Sequence, residues 1–400
     1  MTQLCYTVYG PDAEPNGFEA LASVWNKLLQ RTQFNSFFLT HEWQTTWWEY
    51  LGQGELWILA FHQLDEDVEL PRDYASPRHL TDLDKVIGIL PLYRYQRHPD
   101  RAVDSRQQVL TLIGCTEVSD YLDAIVVNGW EEVVYQSFFE WLQSKDAPSW
   151  DQLDLCNLPE ESHTYQLLPH LFDEGSFRVN VLQEDVAPQF DIPEHYDTYL
   201  LEKLDKKQRH EIRRKQRRAE REAQCEFIMV GLDLARKPIA PQQEETASAY
   251  LPSIQANESN VTLSSSEIDH AMDDFLRLQM ASRDDKAEFM TDEMATFFRG
   301  MAHKIMACGH LRLSFLKLDG ITAACLLAFE YNGRYWLYNS GYDPTVFAPL
   351  SPGWVLLAYT IQYAVVAGLK VYDFMQGDEE YKYRFGSQDY RVMRMIVERI

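Results

Sequence analysis

Basic residues are in short supply in this chain. Its 37 Lys and Arg stand against 61 Asp and Glu, a formal charge of −24, which excludes DNA as a general partner for most of the surface. Cysteine is sparse too, and scattered. The six thiols, Cys5, Cys115, Cys156, Cys225, Cys308 and Cys325, form no CxxC or comparable pair. No metal site and no disulfide framework are expected, and the thiols are read as reduced core residues. The longest apolar stretch, Trp354 to Leu369, is broken by Thr360, Gln362 and Gly368, so no transmembrane segment is expected. The N-terminal stretch shows no basic segment leading into an apolar one, and a cytoplasmic location is expected. What remains, 46% hydrophobic and 24% charged residues in a chain of 400, is the composition of a globular protein long enough for two domains.

One segment reverses the charge. From Lys203 to Arg221 ten Lys and Arg meet only Asp205, Glu211 and Glu220, a local excess of +7. Its composition is helical, with Leu201, Leu204, Ile212 and Ala219 as a thin apolar edge. A solvated charged helix is the usual reading; a seat for an anionic acceptor, a CoA phosphate or tRNA is the alternative.

The C-terminal half is clearly punctuated. Leu311 to Gly341 holds three strand-like runs separated by Asp319-Gly320 and Asn332-Gly333, two-residue hairpin signals that predict an antiparallel meander. A strand at Cys225 to Val230 and two helices, Glu267 to Ser282 and Asp292 to Cys308, precede it. A helix from Pro352 to Gly368, a strand from Lys370, the short segment "DEEYKYRF" and a final strand "YRVMRMIVERI" follow. That element order resembles the GNAT N-acetyltransferase fold, in which the fourth and fifth strands run parallel, splay apart and admit a CoA thioester. The N-terminal half repeats the order with weaker punctuation. The expected class is therefore α/β (α+β): two tandem GNAT-like domains with mixed central sheets flanked by helices. Residues 1–190 form a degenerate domain and residues 191–400 the acyltransferase domain, with a polar insert at 231–266 that is either flexible or a lid.

The chemistry is sought in the second half. In "PLSPGWVLLAY", Ser351 is placed as N-cap and Pro352 as the first helical residue. The N–H groups of Gly353, Trp354 and Val355 would then face a pyrophosphate lying along Leu350 to Val355, with the helix dipole behind them. A plain helix start is the competing reading. At the equivalent point of the first half, "NGWEE" places Glu131 and Glu132 where a phosphate would be repelled, so only the second half keeps a donor mouth. Strand "RYWLYNSGYDP" brings Asn339 to the cofactor and Tyr342 to the reacting end, with Tyr338 and Ser340 assigned to one face and Asn339 to the other. In "VYDFMQGDEEYKYRFG", Asp378 or Glu379 is the candidate base, and Lys382, Tyr381 or Tyr383 the donor to a leaving thiolate. A solvated turn in which Lys382 and Arg384 pair the acids is equally compatible. So is a catalytically dead binding module, its cleft filled by Trp354 or Phe374.

Taken in order, "FFLTHEWQTTWW", "VIGILPLYRY", "LIGCTEVSDYLDAIV", "WDQLDLCNLPEES", "LDKKQRHEIRRKQRR", the meander and the segment 350–386 resemble the CelD/BcsL-type acetyltransferases over nearly the whole chain. The resemblance implies a tandem GNAT-like enzyme of exopolysaccharide biosynthesis. It implies acetyl-CoA or another acyl-CoA as donor, attacked directly by an amine or hydroxyl of a small-molecule or saccharide acceptor. More distantly the chain resembles Fem-type aminoacyltransferases, which share the doubled GNAT fold and a basic helical segment and take the acyl group from aminoacyl-tRNA. The insert 231–266 departs from the compact family core.

Overall fold

The computed structural model describes residues 4–63, 83–97, 107–115, 118–231 and 264–400; most of the 231–266 insert lies outside them. Two compact units result, residues 1–186 with 391–400, and residues 187–390. The first unit contains β1 (Leu4–Tyr9), α1 (Gly17–Leu29), α2 (His41–Leu51), β2 (Glu55–Gln63), β3 (Val86–Arg97), β4 (Gln107–Leu112), β5 (Ile125–Val126), α3 (Glu131–Gln143), β6 (Gln152–Pro159), α4 (His163–Leu167) and β7 (Phe177–Val186). The second contains β8 (Gln189–Asp191), α5 (Tyr196–Glu202), α6 (Lys206–Glu222), β9 (Cys225–Val230), α7 (Ser265–Ser282), α8 (Asp284–Phe289) and α9 (Asp292–Ala307). It continues with β10 (Leu311–Leu318), β11 (Ile321–Tyr331), β12 (Arg334–Tyr342), α10 (Pro352–Val366), β13 (Val371–Asp373) and α11 (Glu380–Tyr383). The last strand, β14 (Arg391–Arg399), belongs to the first unit. Among the described residues no helix is long and apolar enough to cross a membrane.

The two sheets have one plan. In the first the order is β1-β2-β3-β4-β6-β14-β7, in the second β9-β10-β11-β12-β13-β8 reversed end for end. Each begins with antiparallel neighbours, and each then makes one short parallel pairing, β4 with β6 and β12 with β13. These are two GNAT-like units of the mixed α/β class. A linear division near residue 190 does not describe the ends of the units. β14 lies between β6 and β7, while β8, in the stretch that the sequence reads as a boundary, pairs with β13.

Local chemistry explains the elements. Both hairpin dipeptides turn with positive φ, Asp319 at 50° with Gly320 at 79° and Asn332 at 49° with Gly333 at 71°, the backbone that Asx-Gly pairs adopt most readily. Asp205 and Gln208 close a capping box at the start of α6, and Thr40 caps α2 through Trp43 N–H. Helix α10 is buried on nearly every face, from Val355 through Val365, as its uniform apolarity requires. On the basic helix Ile212 and Ala219 are buried, as is Leu204 in the turn before it, whereas Leu201, which belongs to α5, is exposed.

The reading of all six cysteines as free thiols is corrected. Cys115 and Cys156 form a disulfide with Cα atoms 5.9 Å apart. They lie 41 residues apart in sequence, and only the parallel pairing of β4 with β6 brings them together, which no local motif signals.

Candidate functional site in the second unit

Strand β12 pairs with β13 at only three positions, ending at Trp336 opposite Asp373. Beyond it β12 runs on through Leu337 to Tyr342, while the other chain turns at Met375 (φ 63°) and Gly377 (φ 107°). Against β11 the register slips: Leu327 faces Asn339 and Ala328 faces Leu337, leaving Tyr338 as the extra residue of a bulge. The bulge breaks the simple alternation expected of Tyr338, Asn339 and Ser340, because an inserted residue re-aims its neighbours. Helix α7 crosses the end of β12 so closely that a Cβ on Gly341 would overlap the backbone of Leu278 and Gln279.

The start of α10 differs from a capped helix. Ser351 is left-handed, φ 53° and ψ 57°, and its side chain caps nothing, a correction to its expected role. Its carbonyl accepts from the N–H groups of both Trp354 and Val355 at 3.1 Å, so these two amides, expected to face a phosphate, are engaged within the first turn. Pro352 has no N–H, which leaves Gly353 to offer one. A Cβ added to Gly353 would meet only the Tyr342 ring, at 3.8 Å. The mouth and Tyr342, 41% exposed at the end of β12, therefore stand together. Leu350 and Val355 are core residues. Trp354 packs on Phe385 at 4.7 Å, beneath the Lys215 ammonium at 3.6 Å from its ring centre. Its indole N–H is buried with no hydrogen-bond partner among the described residues.

The acidic turn is organised by a lysine. Lys382, 2% exposed, donates to the carbonyls of Met375 (3.0 Å), Gln376 (2.6 Å) and Gly377 (2.9 Å) and pairs with Glu379 at 2.8 Å. An ammonium has three protons, and these acceptors consume them. Lys382 thus holds the turn, leaving no proton facing the opening. Burial acts to raise the Glu379 carboxyl, but the charge and hydrogen bond of Lys382, aided by Lys286, hold it below its ordinary value. Asp378 is exposed. Phe374 joins an aromatic floor, 5.0 Å from Tyr372 and 6.3 Å from Tyr381.

Lys286, absent from the sequence-based candidates, links the two parts. It lies on α8, donates to the Ser340 carbonyl at 2.5 Å and stands 3.4 Å from Asn339 Oδ1. Asn339 Oδ1 also accepts from Ser340 N–H. Burial lowers the Lys286 ammonium below the ordinary lysine value, with Cys325, Glu379 and Asp285 opposing. Nothing in "SRDDKAEFM" separates this lysine from a solvated charge run; only the seating of α8 beside β12 does. Where β12 and β13 have parted, Lys286 thus joins Asn339 and Ser340 to the neighbourhood of Glu379, and Tyr342 stands beside Gly353.

Helix α6 flanks both parts. Gln208 donates to the Tyr383 carbonyl (3.2 Å), Glu211 lies 4.0 Å from Arg384, and Tyr359 of α10 donates to Glu220 at 2.8 Å. On its outer face Lys206, Lys207, Arg214 and Arg217 are exposed, and none has an ion-pair partner among the described residues.

Residues 255–383 match the family model described as an acetyltransferase (GNAT) domain. A search of curated proteins finds no match. Among solved structures, FemX is similar at 10% identity over 93% of this chain and 95% of its own, with a TM-score of 0.54. A conserved protein of unknown function from Bacteroides thetaiotaomicron is similar at 9% identity over 94% and 97%, with a TM-score of 0.51. At such identities the likeness is one of fold: that of GNAT-type acyltransferases.

Proposed function

We propose that the second unit is an acyltransferase acting on an acyl-CoA, with acetyl-CoA as the representative donor. The observation that carries this is the early end of the β12–β13 pairing together with the unblocked Gly353 at the start of α10, beside Tyr342 of β12. The thioester lies against the bulged strand near Asn339 and Ser340, with the pyrophosphate at Ser351 to Gly353. Glu379, kept ionised, accepts a hydrogen bond from the acceptor amine or hydroxyl and orients it. The acceptor attacks the carbonyl carbon as Lys286, in its neutral form, takes its proton; the C–S bond then breaks, and Lys286 returns that proton to the thiolate. A lysine drawn below its ordinary value by burial suits such a carrier. Following the resemblance, the acceptor is a saccharide or other small molecule of exopolysaccharide synthesis, and the reaction is cytoplasmic.

Calorimetry with acetyl-CoA tests the mouth. Gly353 has a negative φ and open space, so Gly353→Glu is accommodated by the fold but sets a carboxylate against the phosphates; binding weakens at least about tenfold. Failure of the wild type to bind, or unchanged binding by the variant, overturns the reading.

A second reading is favoured by the unpaired bases of α6 beside that mouth: an aminoacyl-tRNA donor, as in the Fem-type enzymes. Charge reversal of Arg214 and Arg217 would then abolish a salt-sensitive tRNA interaction; no tRNA binding by the wild type rejects it.

A further inference from the structure

Helix α6 carries a row of cations that transfer from acyl-CoA does not use. Ile212, Gln216 and Ala219 are its buried residues, and they fix which side of the helix packs on the second unit. At about 100° per residue, Lys206, Lys207, Arg213, Arg214, Arg217 and Arg221 fall within about 120° of its circumference, on the side turned away from those three. All six are exposed, and from first to last the row is about 22 Å long. Glu211, Glu220 and Glu222 lie outside it; Glu211 takes Lys215 at 3.1 Å and Glu220 the Tyr359 hydroxyl at 2.8 Å. Among the described residues only Arg213 and Arg221 of the row are paired, with Asp197 at 3.3 Å and Glu222 at 2.7 Å, and between exposed groups such contacts are weak.

A small anion would meet few of these charges at once, whereas a flat or extended polyanion meets the whole row. The rest of a chain of net −24 repels such a partner, so the row also sets the orientation of docking. Its surroundings decide between polyanions. Leu201, in the last turn of α5, is 66% exposed, and Arg209 ties its carbonyl to α6 at 3.1 Å. An apolar side chain at the end of a cationic row adds nothing against a phosphate backbone. At a bilayer it enters the headgroup boundary while the cations meet lipid phosphates. Nor does the row offer a base an aromatic ring or a side-chain amide: Gln208 is engaged with the Tyr383 carbonyl and Gln216 is buried. The acidic surface of a second copy would make a heterologous contact that does not close on itself.

We infer that α6 is a docking face for an anionic phospholipid bilayer, its cationic row lying along the headgroups and Leu201 entering the interface. The inference stands apart from the acyl-CoA reading and competes with the tRNA reading for the same side chains. Flotation of the full chain with vesicles, in the absence of acyl-CoA, tests it. The wild type binds vesicles of equal parts phosphatidylcholine and phosphatidylglycerol but not of phosphatidylcholine alone, and raised salt releases it. Arg214→Glu with Arg217→Glu weakens binding at least about tenfold, and Leu201→Ala weakens it about threefold. Arg214→Lys with Arg217→Lys keeps the charge and binds within about twofold of the wild type. Thermal unfolding of these variants matches the wild type, because the side chains lie on the surface. The inference is overturned if the wild type ignores the mixed vesicles or binds phosphatidylcholine equally well, if the charge-reversed variant or Leu201→Ala binds like the wild type, or if the lysine variant fails to bind. Total tRNA that binds at physiological ionic strength and releases the chain from vesicles would also overturn it, by assigning the row to nucleic acid. So would self-association of the lipid-free chain that the charge reversal abolishes.

Discussion

The two units share a strand plan and differ where their parallel strands part. In the second unit β12 leaves β13 after Trp336 and Asp373. In the first, the equivalent pairing of β4 with β6 ends at Thr111 opposite Asp154, and the chains beyond it are laced together. Cys115 is bonded to Cys156, Leu122 N–H donates to the Asn157 carbonyl at 2.8 Å, and Asn157 Nδ2 donates to the Ser119 carbonyl at 2.6 Å. The helices that follow differ in the same sense. The carboxylate of Glu131 occupies the start of α3 through the Gly129 amide, whereas Gly353 leaves the start of α10 open. On the proposed function, a few residues at the splay, not the order of elements, separate the unit that takes a donor from the one that does not.

The largest effect expected from breaking this comparison comes from the disulfide. Chain entropy for a cross-link across 41 residues is worth about 4 kcal/mol, and native cross-links commonly deliver about 2–4 kcal/mol. The double variant Cys115→Ser, Cys156→Ser should lose that much in denaturant unfolding yet still bind one acetyl-CoA per chain, because Glu131 and the Asn157 bonds remain. A second acetyl-CoA in the variant would show that the disulfide alone closes the first unit.

Asp123 gives the next effect. Its carboxyl lies at about 6 in the folded protein against an ordinary 3.8, so the folded state holds its proton more tightly than the unfolded chain. The resulting stability is fully present below 3.8 and lost as pH rises through about 6, about 3 kcal/mol in all. Relative to Asp123→Asn, the wild type should therefore lose ground between pH 4 and pH 7 in unfolding experiments. The neighbours that face this group, Thr164, Ser162, the Ala124 amide, His163 and Tyr135, are kept in the variant. A difference independent of pH would mean that the group is not held neutral by burial.

Lys286 sharpens the other half of the comparison, since it belongs to the open strand. Lys286→Met should lower kcat about a hundredfold, the lower range for a lost proton carrier, while acetyl-CoA affinity is kept. Because burial lowers its ammonium, the wild-type rate should climb with pH as the neutral amine forms, at lower pH than an ordinary lysine. The variant should lose this limb, and Lys286→Arg, always charged, should not restore it. An unchanged kcat or pH profile would remove Lys286 from the chemistry.

Which parts of this were legible follows from the range of the forces involved. The hairpins at Asp319-Gly320 and Asn332-Gly333, the helix Glu131–Gln143 and the buried α10 rest on turn chemistry and apolar periodicity, and these act over a few residues. The seating of β14 between β6 and β7 and the pairing of three-residue β8 with β13 rest on partners about two hundred residues away, beyond any local pattern. From sequence Lys382 reads as a proton donor or as the partner of an acid, because the three carbonyls that engage it come together only once Met375 and Gly377 turn left-handed. Lys286 sits on a six-residue helix that carries no apolar stripe. The acidic start of α3 was legible from "NGWEE"; the laced strands before it were not.

The smallest effect tests the helix starts directly. Thr40, which caps α2 in the first unit through Trp43 N–H, should cost about 1 kcal/mol when changed to alanine. Ser351 stands at the same position of α10, yet its hydroxyl caps nothing and its backbone is left-handed. Ser351→Ala should therefore cost at most a few tenths of a kcal/mol, and Ser351→Gly should gain up to about 1 kcal/mol, because glycine adopts that φ without a Cβ penalty. Thermal unfolding of the three variants measures the contrast. A loss of about 1 kcal/mol in Ser351→Ala would make Ser351 an ordinary cap like Thr40 and would remove the distinction that leaves the Gly353 amide facing the opening.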